Sequence, residues 1–569
     1  MKKMSEAKTK KAIFIITAIL YFISIIIFEL FFCNSELMNN IFRNKNIETQ
    51  YNFSLFRLIL YIAFFVALFL GRKYLTKDVL EENKSKVKKV LIIIYSIVAI
   101  LGIAFITYCV FGKEVPMQRI AMLYIGLIMG EICLIYISKN FIKDIIVLTF
   151  TFGIILTVTV DINNALDENK HFASAYNISI GNFDYMNNPK MDERFLNLGT
   201  WLKYTENSKL FKNDFQENIV DMNTDNIAVT PADYGVITYL PSAIGIFVAK
   251  IFSNNMADIY YAGRVFNLLT FMGLMIAAFK ILPYKKNTMF AILALPMIWM
   301  MSIVYTADML AIGFTTIFIA YCLRLYDKEK IGIKDIFLLI GAFALICIPK
   351  SMAYVFVALI GFILPVKKMV LDNKKYIPHV LITLLVIIAI ALFQFLNKDI
   401  EDDARGGDVD SAAQLQYMIE NPLADIKLMI NHVRLTLLNM GWLAQMQPPL
   451  FFCDVSSAIF LLTFLFILLV AVTDDSKVLK MKDKFIFWIV FFMIFAMNSI
   501  LLYLKFNPVG NETIGGFQPR YLYPILPLLL MPLANKTITV KNKANMSLFI
   551  QILVPMFLFL GALGNIMVA

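Results

Sequence analysis

The chain has 569 residues, 59% of them hydrophobic and only 16% charged, with a formal net charge of +11. One soluble core cannot bury so much apolar surface, and the hydrophobicity falls in blocks of about 20 residues, the length that crosses a bilayer as helix. The positive charge does not point to nucleic acid, because the lysines gather in short loops between apolar runs and form no basic stripe with aromatic readers.

Composition therefore predicts an all-α polytopic membrane protein, since backbone groups cannot go unpaired in lipid. The six cysteines, Cys33, Cys109, Cys133, Cys322, Cys347 and Cys453, lie in or beside apolar segments without paired ligand spacing, so neither a zinc site nor a disulfide framework is implied.

In chain order, Met1 to Lys11 is basic, and the run Ala12 to Cys33 lacks a small-x-small cleavage site. This predicts a retained anchor with the N-terminus in the cytoplasm. Spans are expected near 12–33, 55–71, 90–111, 118–138 and 144–161. Lysines in the second and fourth connections place those loops inside, so the polar, acid-rich segment after the fifth span faces outward.

That segment ends in a short apolar stretch, Tyr239 to Phe252, expected to lie along the outer surface. Helices follow near 260–282, 288–305, 307–325, 335–348, 352–366 and 376–395, with Asp308 and Lys350 at outer hairpin tips. A second outer segment holds Glu401-Asp402-Asp403 and an amphipathic helix from Ala412 to Leu438. The last spans are expected near 455–473, 484–505, 521–535 and 547–566, for a total of about fifteen transmembrane helices. The division is a four-helix module over 1–143 and a membrane core over 144–569, with outer loops 162–259 and 397–454.

The candidate chemistry centres on Asp167-Glu168-Asn169-Lys170-His171, just past the fifth span. A carboxylate at the outer interface can take a proton from an attacking hydroxyl, so Asp167 or Glu168 is the candidate general base; a solvated acid pair in a loop is the plain alternative. His171, one of three histidines, shares a face with Asp167 if the stretch is helical and can bind phosphate or steady the base.

Arg520, between Pro519 and Tyr521, can grip a lipid-linked phosphate or simply snorkel at the interface. Arg264, Lys350 and Arg434, the last upstream of Gly441-Trp442, are further cations that can face an outer anionic cavity, with a purely structural role as the plainer reading of each. Asp308 can bind sugar hydroxyls or cap its helix. Glu131 lies deep in the fourth span, where a charge is costly, and the acids at 401–403 read as a solvated face or as oxygen ligands for a divalent cation.

Taken together and in order, an acidic pair before His171-Phe172, then Tyr239-Leu240-Pro241-Ser242-Ala243-Ile244-Gly245, Arg264-Val265-Phe266-Asn267-Leu268-Leu269, Leu295-Pro296 with Asp308, Gly441-Trp442-Leu443 and Gln518-Pro519-Arg520-Tyr521-Leu522-Tyr523-Pro524 form a pattern. It resembles the bacterial membrane proteins of the domain of unknown function 2142 family, from about Asp161 onward, and says nothing of the helices before residue 144. That family looks like part of the glycosyltransferase C superfamily.

The resemblance implies a glycosyltransferase C-like core with large outer loops and a juxtamembrane helix from Tyr239. It implies an essential acid at Asp167 or Glu168. Read from the residues, the candidate substrate contacts are His171, Tyr239, Arg264, Asp308, Lys350, Arg434, Trp442, Arg520 and Tyr521. The expected activity is inverting transfer of a sugar from a polyprenyl-phosphate donor to an envelope glycan, lipid or protein acceptor at the extracytoplasmic face. A divalent cation, magnesium or manganese, is an optional cofactor. The rival expectations are a flippase of lipid-linked sugars, which should show repeated halves and interrupted helices, and a noncatalytic partner in polysaccharide assembly.

Overall fold

The structure, a computed structural model, describes residues 140–160, 165, 167–191, 231–364, 388, 408–438, 457–538 and 540, and 546–558 with gaps at 548, 552 and 556. The spans expected near 12–33, 55–71, 90–111 and 118–138, nearly all of that at 376–395, Glu131, the acids at 401–403 and Trp442 lie outside these residues. Everything described is helix or connection, with no strand among the described residues. The chain divides into two compact units, one of residues 1–161, 452–459 and 541–569, the other of 162–451 and 460–540.

In the first unit, α1 (Phe141–Leu148) passes through a π turn, Thr149–Gly153, into α2 (Ile154–Thr159). Asn140 starts it by accepting the Ile142 amide. Thr149, Thr151 and Thr157 satisfy their hydroxyls on carbonyls one turn back, which lets them sit in an apolar helix. Asp144, buried, takes a hydrogen bond from Gln551.

The second unit carries the site. Its elements begin with α3 (Glu168–Ser179), α4 (Val236–Phe252), α5 (Met256–Ile281), α6 (Lys286–Ile292) and α7 (Pro296–Ile303). Next come α8 (Asp308–Asp327), α9 (Ile333–Tyr354) and a 3-10 stretch Val355–Ile363. Then follow α10 (Ser411–Glu420), α11 (Pro422–Val433), α12 (Ser457–Thr473, of which the part from Phe460 on belongs to this unit), α13 (Met481–Phe506) and α14 (Leu526–Leu530). Among the described residues α5, α8 and α13 are long and apolar enough to cross a membrane, and α6 with α7 would make a fourth span, bent by 69°.

Proline, which lacks a backbone donor, breaks three expected helices and precedes a fourth break where a hairpin was expected. The helix expected over 288–305 splits at Leu295-Pro296, with Pro296 opening α7 and Trp299 Nε1 bonding the Leu293 carbonyl across the bend at 2.9 Å. The hairpin expected at Lys350 is instead a kink inside α9, where Lys350 follows Pro349 with φ −155° and ψ 66°. The amphipathic helix is cut at Asn421-Pro422 into α10 and α11, and a π turn, Arg434–Leu438, follows. The stretch from Pro519 to Leu533 alternates 3-10 turns with the single short helix α14.

α4 is amphipathic. Tyr239, Ser242, Ala243 and Ile246 are buried, while Ile237, Leu240, Ile244, Phe247 and Ile251 form an exposed apolar stripe at helical spacing. Gly245 lets α4 approach α5 closely, since a Cβ there would stand 2.5 Å from the Ala262 carbonyl oxygen. Ser242 donates to Asn267 at 2.7 Å and Asn267 to the Val304 carbonyl at 3.0 Å, which ties α4 and α5 to the link before α8.

Candidate functional site

α3 begins on an unusual residue. Asp167 has φ 58° and ψ 18°, left-handed geometry that few residues other than glycine adopt and that aspartate tolerates best among charged ones. Its carboxylate stays 38% exposed, 3.7 Å from the Lys170 ammonium. The next residue, Glu168, turns the other way and is fully buried.

Both Glu168 oxygens are occupied. Arg264 donates from Nε (3.1 Å) and Nη2 (2.8 Å) to Oε1, and from Nη2 to Oε2 at 3.0 Å. The amides of Ala165 and Tyr305 add bonds of 3.2 and 3.3 Å. Phe172, Tyr260 and Tyr305 wall the pair off, with the Arg264 guanidinium 5.0 Å from the Tyr260 ring. A carboxylate so fully engaged fastens α3 to α5.

A second charged group lies beside α3. Asp308, fully buried, has Oδ1 2.5 Å from Lys350 Nζ and Oδ2 3.5 Å from Arg520 Nη1, while Thr306 Oγ1 donates to Oδ2 at 3.1 Å. The α9 kink delivers Lys350 here, and the 3-10 turn after Pro519 delivers Arg520. Tyr521 and Tyr234 flank the Lys350 ammonium at 5.2 and 5.9 Å, and Tyr354 donates to the Tyr521 carbonyl. Two cations face one carboxylate in this cluster, so it holds a surplus positive charge away from water. Such a cluster suits an anion with several oxygens.

His171 lies beside the second group. Its Nδ1 shares a 2.8 Å hydrogen bond with Tyr239 Oη, its ring stacks on Tyr234 at 5.5 Å, and it lies in the field of Lys350, Arg520, Asp308 and Asp167. Burial, and after it the positive charges of Lys350 and Arg520, push its pKa from 6.5 down to about 3. It is neutral at physiological pH, a hydrogen-bonding group and not a cation.

Of the residues singled out in the sequence, His171, Tyr239, Asp308, Lys350, Arg520 and Tyr521 come together, with Asp167 within their electrostatic reach. Glu168 and Arg264 form the adjoining buried pair. Arg434 is apart, with Nε and Nη2 on the Asn431 side chain. Sequence reasoning missed Tyr234, whose signal was an aromatic just ahead of Gly235 at a helix start, and Tyr305 and Tyr354, which read as ordinary apolar-run tyrosines. Among the described residues no three His, Cys, Asp or Glu side chains gather as a metal site would require.

A family model described as "Predicted membrane protein (DUF2142)" matches residues 150–529, which include every element of this site. No curated protein and no solved structure matches the chain.

Proposed function

The chain belongs to the DUF2142 family of predicted membrane proteins, and from that footing we propose that it is a membrane glycosyltransferase. It would move one sugar from a polyprenyl-phosphate donor to an envelope glycan, lipid or protein acceptor at the extracytoplasmic face. The proposal includes a glycosyltransferase C-like core, about fifteen spans and a cytoplasmic N-terminus. The observation that carries it is the exposed carboxylate of Asp167 beside a buried cluster with a surplus cation, formed by Asp308, Lys350 and Arg520.

In this reading Asp167 is the base, because the lone pairs of Glu168 are spent on Arg264 and two backbone amides. Asp167 takes the proton of the acceptor hydroxyl as its oxygen bonds to the anomeric carbon. The bond from that carbon to the lipid phosphate breaks, and the phosphate leaves with the electron pair, held by Lys350 and Arg520. One displacement inverts the anomeric centre. Neutral His171 and Tyr239 would orient a hydroxyl or phosphate oxygen, and the apolar stripe of α4 would rest in the outer leaflet.

The test is transfer from a polyprenyl-phosphate sugar by the purified full-length chain. Asp167→Asn should lower the rate by about 10²- to 10⁴-fold while the protein stays folded, and Lys350→Gln should chiefly weaken donor binding. Undiminished transfer by Asp167→Asn would remove the assigned base. Movement of the intact donor across the bilayer without transfer would favour a flippase.

A further inference from the structure

Of seven buried polar atoms without a hydrogen-bond partner among the described residues, five follow one seam: Gln414 Nε2, Asp425 Oδ1, His432 Nε2, Gln518 Oε1 and Arg520 Nε. The seam lies between the α10–α11 pair and the end of α13 with its following loop. On the α10 side two bonds cross it, Ser411 to the Leu504 carbonyl at 2.8 Å and the Gly510 amide to Gln414 Oε1 at 2.9 Å, while Gln414 Nε2 is unpaired. Beyond the Asn421-Pro422 break, α11 meets the same wall through rings, with His432 stacked 5.3 Å from Phe495 and edge-on to Phe517 at 5.0 Å. Asp425 lies in the field of Tyr503 on that wall. Phe517 then touches Tyr521 at 5.7 Å, and the Arg520 guanidinium sits over Tyr521 at 5.6 Å. The seam thus runs from the tip of α13 to the Asp308 cluster.

Buried donors and acceptors left unpaired are costly, so a row of them along one packing surface marks a place that is filled by a hydrogen-bonding occupant when the protein works. His432 and Arg520 are 7% and 8% exposed, so open solvent does not supply the partners. The set mixes acceptors (Asp425, Gln518), donors (Gln414 Nε2, Arg520 Nε) and an imidazole nitrogen that can be either. A hydroxyl both donates and accepts and satisfies each of them in turn. Phe495, Phe517 and Tyr521 border the row and offer the flat apolar faces on which the C–H side of a sugar ring packs.

We infer that α11 swings from this wall at the Asn421-Pro422 break to open a cleft for a polyhydroxylated glycan chain, gripped by Asp425, His432 and Gln518 and led to Arg520. The inference rests on the transferase reading only in naming that chain as the acceptor.

The test uses the full chain in lipid nanodiscs with His432→Cys or Gln518→Cys, labelled by a water-soluble maleimide beside the parent protein. The probes are soluble oligosaccharides of three kinds: neutral hexose, N-acetylhexosamine and uronic-acid chains. The expected result is labelling of both cysteines above the parent level, slowed about fivefold by one kind at about four times its Kd. Neither cysteine labelled would mean a permanently packed seam, and labelling that no probe slows would mean a hydrated seam only; either overturns the inference. If His432→Cys does not fold, Gln518→Cys, on a half-exposed residue, carries the test. Probe protection without sugar transfer would sink the enzyme reading and keep the cleft, whereas transfer without protection would sink the cleft alone.

Discussion

Glu168 and Arg264, both fully buried, close on each other at 2.8 Å, while the neighbouring acid Asp167 faces outward beside Lys170. Removing one partner of such a pair strands a charge out of water, so Glu168→Ala or Arg264→Ala should cost about 3–5 kcal/mol of stability. Asp167→Asn should change stability by no more than about 0.5 kcal/mol. Thermal unfolding of the detergent-purified variants checks the contrast, and equal losses at Asp167 and Glu168 would contradict it.

The neutral imidazole of His171 has a pH consequence. Its pKa is about 3 when folded and 6.5 when unfolded, so below 6.5 the unfolded chain takes up a proton that the folded chain refuses. Its contribution to stability is complete above that value and is lost as pH falls toward 3. Replacing His171 with Gln should flatten the acid side of the stability profile. If His171→Gln leaves the slope between about pH 6 and 4 unchanged, the imidazole is not held neutral.

The cluster around Asp308 makes a prediction about anions. Asp308→Asn leaves Lys350 and Arg520 without their carboxylate, so the variant should lose stability and gain phosphate affinity. A ligand that binds only the folded state raises stability with its concentration. Inorganic phosphate, titrated at constant ionic strength, should therefore raise the melting temperature of Asp308→Asn more than that of the parent. Equal shifts would show that the two cations do not share an anion site.

Gly245 tests the α4–α5 contact. An added methyl would meet the Ala262 carbonyl oxygen at 2.5 Å and Phe266 Cβ at 2.9 Å, neither of which can rotate away. Gly245→Ala should thus cost about 1–3 kcal/mol, despite alanine's better helix propensity. A neutral or stabilising outcome in the same unfolding assay would mean that α4 moves freely over α5.

Much of this arrangement was legible in the chain. Asp308, Lys350 and Arg520 stood out as single charges in apolar surroundings, and α4 as a short apolar stretch between polar flanks. Partnership was not legible, because which cation meets which carboxylate depends on where α5, α8 and α9 pack, and no spacing encodes that. Nor could adjacent acids be told apart: Asp167 and Glu168 are chemically alike in sequence, and a left-handed backbone turn separates them. Pro349 announced a break, yet hydropathy alone made it a hairpin, since a kinked helix and two helices joined by a tight loop bury similar apolar runs.

The handedness of residue 167 also limits how the protein can be re-engineered. The side chain of the next residue, Glu168, is fully buried, so an acid moved from 167 to that place would leave the mouth of the site, whatever its chemistry. Glycine would keep the bend and lose the carboxylate, and most other residues would resist the bend. Aspartate or asparagine alone combines the turn with a short polar arm, so a library at this position should return one functional amino acid, aspartate, and two inert but well-folded ones, asparagine and glycine.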